Sequence, residues 1–156
     1  MSTDYQIREA EREDYQRLAE LLEKNRQSIQ DILVSGTKYW IAEDIAGQPI
    51  GTIGVEIGRD SMLLRSAAVL IPWRKQGIGK ALVNRALDAG TKNGFKKAYL
   101  FSRTAGKYWM RFGFYEVSVA EVVDALPEVP QVKHYLETGT IWTDIAWRCD
   151  LITKTS

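Results

Sequence analysis

One part of the sequence limits the possible folds more than any other: an apolar segment leads through a basic, glycine-containing turn into an amphipathic helix. The apolar segment, SMLLRSAAVLI (61–71), shows little alternation of polar and apolar residues, as is typical of a strand buried on both faces. A helix is predicted over residues 77–94, and a strand, KKAYLFS (96–102), follows it. This spacing suits a right-handed crossover between parallel strands, so we expect an α+β (mixed α/β) layered fold.

Further strands and helices are predicted on either side of this unit. The periodicity predicts strands over 5–10, 38–44, 48–58, 114–121 and 143–153, and helices over 11–25, 25–36 and 105–113. Residues 121–140 contain two prolines and little helical periodicity, so we expect a long loop that lines an acceptor pocket or a dimer contact. Repeats and linkers are absent from the sequence, which predicts one domain over residues 1–156.

Composition and charge narrow the function classes. Of the 156 residues, 45% are hydrophobic and 26% are charged, and the net charge is +1. These values are typical of a globular protein, and the near-neutral charge favours neither nucleic acid nor a membrane as a partner. The single cysteine and single histidine exclude an internal disulfide and argue against a metal site. We expect a cytoplasmic protein, because the sequence shows neither a secretory signal nor an apolar run long enough to span a membrane.

The turn IPWRKQGIGKAL (71–82) is suited to binding an anion. It carries three cations, Arg74, Lys75 and Lys80, and two glycines, Gly77 and Gly79, immediately before and within the start of the helix. The first turn of a helix has unsatisfied N–H groups and a partial positive charge. Glycine lets the backbone approach a ligand and direct successive amides toward it. A phosphate group is therefore the expected ligand, although a solvated basic turn would have the same composition.

Three glycine patterns compete for this turn. A Walker loop requires a glycine where Arg74 stands and a serine or threonine where Ala81 stands, so it fails twice. A dinucleotide-binding fingerprint requires a third glycine where Leu82 stands. The pattern R-x-x-G-x-G is satisfied by Arg74, Gly77 and Gly79. The third pattern is therefore preferred, and a nucleotide-binding domain, which the first two patterns would indicate, is disfavoured.

In its context, AAVLIPWRKQGIGKAL, this third pattern resembles the signature of the GCN5-related N-acetyltransferase (GNAT) superfamily. The segment YWMRFGFYEV, with Gly113 and Phe114, is similar to the closing segment of that family, and the element order agrees along nearly the whole chain. The resemblance implies a central mixed sheet of about seven strands flanked by about four helices, with a parallel pair splayed around the cofactor. It also implies acetyl-CoA (coenzyme A) as the cosubstrate and no metal.

The resemblance assigns the cofactor contacts. The backbone of Val69 and Ile71 would contact the pantetheine arm, and Trp109 stands where the family usually has a tyrosine that serves as general acid. The pyrophosphate would lie on the turn formed by Arg74, Lys75, Gln76, Gly77, Ile78, Gly79 and Lys80. Trp109 cannot donate a proton usefully, so it would pack along the pantetheine.

Proton transfer points to two catalytic candidates. The acceptor amine must be neutral when it attacks the thioester, and Glu56 is the candidate that takes its proton, directly or through water. Glu56 alternates with Gly54 and Thr52 on a strand face whose small residues leave room for a substrate. The alternatives for Glu56 are an exposed residue at the end of the strand and a structural partner for Arg65. Tyr108, next to Trp109, is the candidate acid, with water as its alternative.

The acceptor is predicted only by class. The segments LLRSAAV, FSRTAGKYWMRFGF and DALPEV resemble the GNAT branch of amino-acid and arsenic-resistance acetyltransferases. Arg65, Arg103 and Thr104 are therefore candidates for binding an α-carboxylate, since a guanidinium fork suits that group. We expect acetyl transfer to a primary amine of a small molecule or amino acid, in a protein that could be a homodimer. The alternative is a catalytically weak acyl-CoA-binding module that acts as a sensor or protein partner.

Overall fold

Seven strands and five α-helices are formed by residues 4–151, which are the residues that the computed structural model describes. The strands are β1 (Tyr5–Glu9), β2 (Thr37–Asp44), β3 (Pro49–Ile57), β4 (Ser61–Val69), β5 (Lys97–Phe101), β6 (Tyr115–Val117) and β7 (Ala146–Asp150). The helices are α1 (Tyr15–Lys24), α2 (Ile78–Lys92), α3 (Gly106–Met110), α4 (Val119–Ala125) and α5 (Pro130–Thr138). None of the described helices is long and apolar enough to cross a membrane.

The strands form one mixed sheet in the order β1-β2-β3-β4-β5-β7-β6. β4 and β5 are parallel, with residue pairs running from Ser61–Lys97 to Leu63–Tyr99. β1 with β2, β5 with β7 and β6 with β7 are antiparallel. The predicted crossover through α2 and the predicted mixed sheet of about seven strands are therefore confirmed.

The described residues group into two compact units. The first lies within Met1–Val55 and Ser66–Ala86, and the second within Glu56–Arg65 and Leu87–Ser156. The core of the first unit contains Leu18, Ala19, Leu22, Ile32, Tyr39, Ile41 and Ala68. The core of the second contains Leu63, Tyr99, Val122, Leu126, Val129, Val132, Ile141 and Ala146. The single domain expected over residues 1–156 stays a prediction.

One predicted helix is wrong in the first unit. Residues 25–36, all within the described chain, form turns instead of a helix. The reason is local: Arg26, Asp31 and Leu33 have φ values of 56°, 58° and 56°, in the left-handed region that a right-handed helix cannot include. The preceding helix, α1, is amphipathic: Leu18, Leu21 and Leu22 are buried, whereas Tyr15 at its start is 46% exposed.

One predicted loop is wrong in the second unit. Residues 121–140 contain most of α4 and all of α5 rather than a long loop. The Ser118 hydroxyl accepts from the Glu121 amide and caps α4, which ends β6 at Val117 instead of residue 121. Pro130 occupies the first turn of α5, where its missing N–H costs nothing, and Gly139, with φ of 76°, ends that helix. Proline here marks a helix start.

The last strand is shorter than predicted and carries the single cysteine. β7 spans Ala146–Asp150, and residues 152 and 153 of the predicted strand lie outside the described residues. The Cys149 side chain is buried, and its Sγ lies 3.4 Å from the Phe112 carbonyl oxygen. Burial raises the pKa of the Cys149 thiol, because the thiolate would lose its hydration. Cys149 is a packing residue of this strand.

Candidate functional site

The turn before α2 has the backbone geometry of an anion-binding loop. After the 3₁₀ turn Ile71–Trp73, both Lys75 (φ 65°) and Gly77 (φ 85°) adopt left-handed conformations. The Gly77 carbonyl accepts a hydrogen bond from the Ala81 amide at 3.0 Å, so α2 begins directly after Gly77. The amides of the first helical turn precede the intrahelical donors and are available to a ligand.

The space beside Gly77 and the charge around it are suited to an anionic ligand. A Cβ placed on Gly77 would meet no heavy atom within 4 Å, so a ligand can reach the backbone there. Arg74, Lys75 and Lys80 are exposed and bring three positive charges to the segment that surrounds Gly77 in sequence. Positive side chains together with an open helix N-terminus match a polyanion. These are the groups that would hold the diphosphate of coenzyme A.

The Arg74 side chain is also hydrogen-bonded to the end of β4. Its Nε donates to the Val69 carbonyl at 2.9 Å, and its Nη2 donates to Asn25 Oδ1 at 2.9 Å. The Val69 carbonyl, predicted to contact the pantetheine arm, thus accepts a bond from within the protein. These two bonds fix the direction of the guanidinium, which reduces the conformational entropy that a bound phosphate would have to remove.

The remaining predicted loop residues differ in exposure. Ile71 is 73% exposed, whereas Ile78 is buried and packs in the core under α2. Gly79 is half-buried in the first turn of that helix. The Gln76 amide nitrogen lies 3.4 Å from the Pro72 carbonyl. The Gln76 Oε1 atom is buried and has no hydrogen-bond partner. Among the described residues, no other buried side-chain oxygen or nitrogen lacks one. A donor on a bound ligand would satisfy that oxygen.

The strand before the loop contains a distorted residue that the sequence did not reveal. Ser66 lies within β4 but has φ of 59°, a conformation that costs a non-glycine residue about 1–2 kcal/mol. Its hydroxyl lies 3.1 Å from the Tyr39 hydroxyl, and both residues are buried. Serine offers no sequence signal for a positive φ within a strand.

The space predicted beside Gly54 is filled. A Cβ on Gly54 would lie 2.4 Å from two atoms of the Tyr39 ring, so the ring occupies the position where a substrate was expected. The neighbouring Thr52 hydroxyl donates to the Trp40 carbonyl at 2.8 Å. The expectation of room for a substrate on this face is therefore wrong at Gly54. A glycine inside a strand often marks such a close approach, and that signal was available.

Glu56 and Arg65 form a buried ion pair. Their side chains are 0% and 4% exposed, and Arg65 Nη1 donates to Glu56 Oε2 at 2.9 Å. The other carboxylate oxygen, Oε1, accepts from the backbone amide of Gln131 at 2.8 Å. The two predicted candidates thus contact each other, as the structural alternative for Glu56 anticipated. Gln131 was missed because it lies 75 residues away in a segment predicted to be a loop.

An aromatic cluster surrounds α3. Trp109 is 8% exposed, and its ring contacts those of Tyr108, Phe112 and Phe114 at centroid distances of 5.1, 6.0 and 5.7 Å. Tyr108 is 36% exposed, and partial burial raises the pKa of its phenol above the usual value. Tyr108 therefore remains protonated at neutral pH and can donate a proton.

Two predicted acceptor residues precede α3. Arg103 and Thr104 are exposed in the turn that joins β5 to this helix. The turn is held by the Ser102 hydroxyl, which accepts from the Ala105 amide at 3.1 Å. Their exposure leaves both side chains accessible to a ligand. Their role in acceptor binding stays a prediction.

A comparison of the sequence with family models and a comparison of the fold with solved structures both identify GNAT acetyltransferases. The sequence model of the acetyltransferase (GNAT) domain matches residues 35–116. The fold is similar to that of a GNAT-family acetyltransferase from Staphylococcus aureus Mu50, with 17% identity and a TM-score of 0.74 over 96% of this chain and 100% of that chain.

Two further solved structures share the fold. The N-acetylglutamate synthase from Neisseria gonorrhoeae, complexed with coenzyme A and N-acetyl-glutamate, is 20% identical, with a TM-score of 0.76 over 97% of this chain and 36% of that chain. The ribosomal-protein-S18-alanine N-acetyltransferase from Escherichia coli is 15% identical, with a TM-score of 0.68 over 98% of this chain and 97% of that chain.

Proposed function

We propose, since the chain belongs to the GNAT acetyltransferase family, that it transfers an acetyl group from acetyl-CoA to a primary amine of a small molecule or amino acid. Acyl transfer from coenzyme A to an amine is the general reaction of this family. The observation that carries the proposal is the open, basic turn at the start of α2, centred on Gly77. Its shape and charge suit the diphosphate of coenzyme A.

Each loop residue would make a different contact with coenzyme A. Gly77 and the first amides of α2 would receive the diphosphate oxygens, and Lys75 and Lys80 would neutralise their charge. Arg74, held by Asn25, would add a positive charge of fixed direction. Gln76 would contribute its Oε1 as an acceptor. The pantetheine contacts of Val69, Ile71 and Trp109 remain part of the proposal.

The chain would also move protons. The attacking amine must lose a proton, and Glu56 is the predicted acceptor, directly or through water. The departing thiolate needs little help, because a free thiol has a pKa of roughly 8.5. Tyr108, whose pKa is raised by burial, would supply a proton to it. This assignment uses the protonated state that Tyr108 holds at neutral pH.

The acceptor is proposed to be an amino acid or a molecule with a similar amine. One similar structure is an N-acetylglutamate synthase complexed with N-acetyl-glutamate, and another is named for an alanine of ribosomal protein S18. Arg65 is engaged by Glu56, whereas Arg103 and Thr104 are exposed. We therefore favour Arg103, with Thr104, as the residues that would contact an acceptor carboxylate.

Thiol release from acetyl-CoA tests the function. The purified protein is mixed with acetyl-CoA and a panel of amino acids, their carboxamides and simple primary amines, and free coenzyme A is measured. Saturable, acceptor-dependent release is expected for at least one amino acid, and the carboxamide should react more slowly if Arg103 binds the carboxylate. Release with no member of the panel would contradict the proposed acceptor class.

The alternative, a weakly catalytic acyl-CoA-binding module, is favoured by one observation. Trp109, at the position of the family's usual tyrosine, is buried among three aromatic rings and has no role in proton transfer. A module would be stabilised thermally by acetyl-CoA without turnover of any amine. An enzyme would show both effects, so the two measurements on one sample separate the functions.

A further inference from the structure

We propose that the Arg65–Glu56 ion pair is a positioning device that anchors the N-terminus of α5 and thereby sets the acceptor side of the site. The role goes beyond proton transfer and rests on the proposed function only for its catalytic consequence. Its structural part, the anchoring of α5, stands on contacts within the second unit alone.

The first step is the state of the carboxylate. Glu56 is fully buried, and each of its oxygens accepts a hydrogen bond, one from Arg65 and one from the Gln131 amide. The two bonds hold the carboxylate in one position and orientation, between a guanidinium on one side and a backbone amide on the other. A group stabilised in this way is suited to holding neighbouring elements in place.

The second step is the nature of the partner helix. α5 has nine residues and begins at Pro130, which has no N–H, so Gln131 provides the first backbone donor of the helix. A carboxylate at that point satisfies this donor and faces the positive end of the helix dipole. The usual capping side chain comes from the residue before the helix, but that residue is Val129, and it makes no side-chain cap bond. Glu56, from β3, performs the capping instead.

The third step is the apolar packing beside the ion pair. A Cβ on Gly58, in the turn between β3 and β4, would lie 2.4 Å from Leu126 Cδ2. Leu126, which follows α4, is 1% exposed and belongs to the core of the second unit. The segment containing α4 and α5 is therefore held to residues 56–65 by an apolar contact and by the hydrogen bond from the Gln131 amide to the Glu56 carboxylate. That hydrogen bond fixes the start of α5.

The fourth step concerns the side chains that α5 places beside the end of β5. Gln131 and Tyr135 lie one helical turn apart, and Gln131 Nε2 donates to the Tyr135 hydroxyl at 3.2 Å. The Tyr135 ring packs against Phe101, the last residue of β5, at a centroid distance of 6.0 Å. Ligands of sheets with parallel strands bind at the carboxyl ends of those strands. Anchoring α5 thus places two half-buried polar side chains beside the end of β5.

The test uses two double variants that remove the buried charges in different ways. Glu56→Gln with Arg65→Gln keeps an oxygen that can accept from the Gln131 amide. Glu56→Met with Arg65→Met keeps similar volume but offers no acceptor. A buried ion pair replaced as a whole by apolar residues is often tolerated, so both proteins should fold. The single variant Glu116→Gln, on an exposed residue of β6, controls for loss of a carboxylate.

Hydrogen exchange and kinetics give the answer. In the methionine variant we expect amide exchange of residues 131–138 to be about tenfold faster, or more, than in the glutamine variant. The reason is that methionine at position 56 cannot accept the hydrogen bond from the Gln131 amide, whereas glutamine can. The acceptor KM should rise by about the same factor in the methionine variant, while affinity for coenzyme A changes less than twofold. Both double variants lack the carboxylate that is proposed to take the proton, so turnover should fall in both, and the acceptor KM is compared between them rather than with the wild type.

Two results would overturn the proposal. Equal exchange of α5 in the two double variants would show that the Gln131 bond does not anchor the helix. Faster exchange of α5 in the methionine variant, with an acceptor KM equal to that of the glutamine variant, would show that the anchored helix does not set the acceptor side of the site. If no amine is acetylated by the wild type, the proposed function fails, yet the exchange experiment still decides whether Glu56 anchors α5.

Discussion

Replacing Gly77 by glutamate is expected to abolish coenzyme A binding while the protein stays folded. Gly77 has φ of 85°, so any other L-residue there costs about 1 kcal/mol of backbone strain. No steric cost adds to this, because a Cβ would meet nothing within 4 Å. For a chain of this size, 1 kcal/mol lowers the melting temperature by about 2–4 °C. A protein of ordinary stability tolerates that loss.

The effect on binding is expected to be much larger. A carboxylate within about 4 Å of a phosphate costs about 4 kcal/mol at the effective dielectric of a protein surface, and salt screening reduces this. We expect affinity for coenzyme A to fall at least about a hundredfold. Isothermal titration calorimetry measures the affinity, and a thermal melt measures the stability.

A matched control comes from the turn between β2 and β3. Gly47 has φ of 79° and equally open space, so Gly47→Glu should cost the same stability and leave affinity for coenzyme A unchanged. Equal affinities in the two variants would refute the assignment of the loop. A large loss of stability in Gly77→Glu alone would refute the strain estimate instead.

Three further predictions concern single side chains. Gly54→Ala should lower the free energy of unfolding by about 1–3 kcal/mol, seen by urea denaturation, because the new Cβ would overlap the Tyr39 ring. Asp14→Asn should cost about 1–2 kcal/mol at pH 7, since the hydrogen bond from Arg8 holds the pKa of Asp14 at about 2 instead of 3.8. That stability is present above pH 3.8 and is lost as the pH falls toward 2, so the variant's stability should change less across this window. Tyr108→Phe should lower turnover about tenfold and leave affinity for coenzyme A within twofold.

Controls exist for each of these changes. Gly54 is outside the left-handed region, so Gly54→Ala should lose stability through overlap, whereas Gly36→Ala, at an open glycine with φ of 84°, should lose it through backbone strain alone. Glu20→Gln removes an exposed carboxylate from α1 and should leave the acid limb of stability unchanged. Unchanged turnover in Tyr108→Phe would assign protonation of the thiolate to water.

The sequence was most informative where local patterns decide the structure. The unbroken apolar run of β4, the amphipathic pattern of α2 and the glycine spacing at 77 and 79 predicted the crossover and the basic turn, because each depends on neighbouring residues. Exposure of the turn followed from its charges. The parallel pairing of β4 with β5 followed from the length of the connection.

Long-range contacts account for what could not be predicted. The bond between Glu56 and the Gln131 amide joins residues far apart in sequence, and no periodicity reports it. Proline 130 was read as a loop residue because proline at a helix start and proline in a loop look alike locally. The positive φ values of Leu33 and Ser66 go against the local preference of both residue types, so the sequence does not report them.

The buried Cys149 gives the protein a built-in reporter of its own opening. It is the chain's single cysteine, and its raised pKa keeps the native thiol in the unreactive form. A disulfide reagent that titrates released coenzyme A should therefore meet almost no background from the folded enzyme. One equivalent of protein thiol should appear only when β7 opens, so the rate of that reaction under native conditions measures local unfolding of the strand.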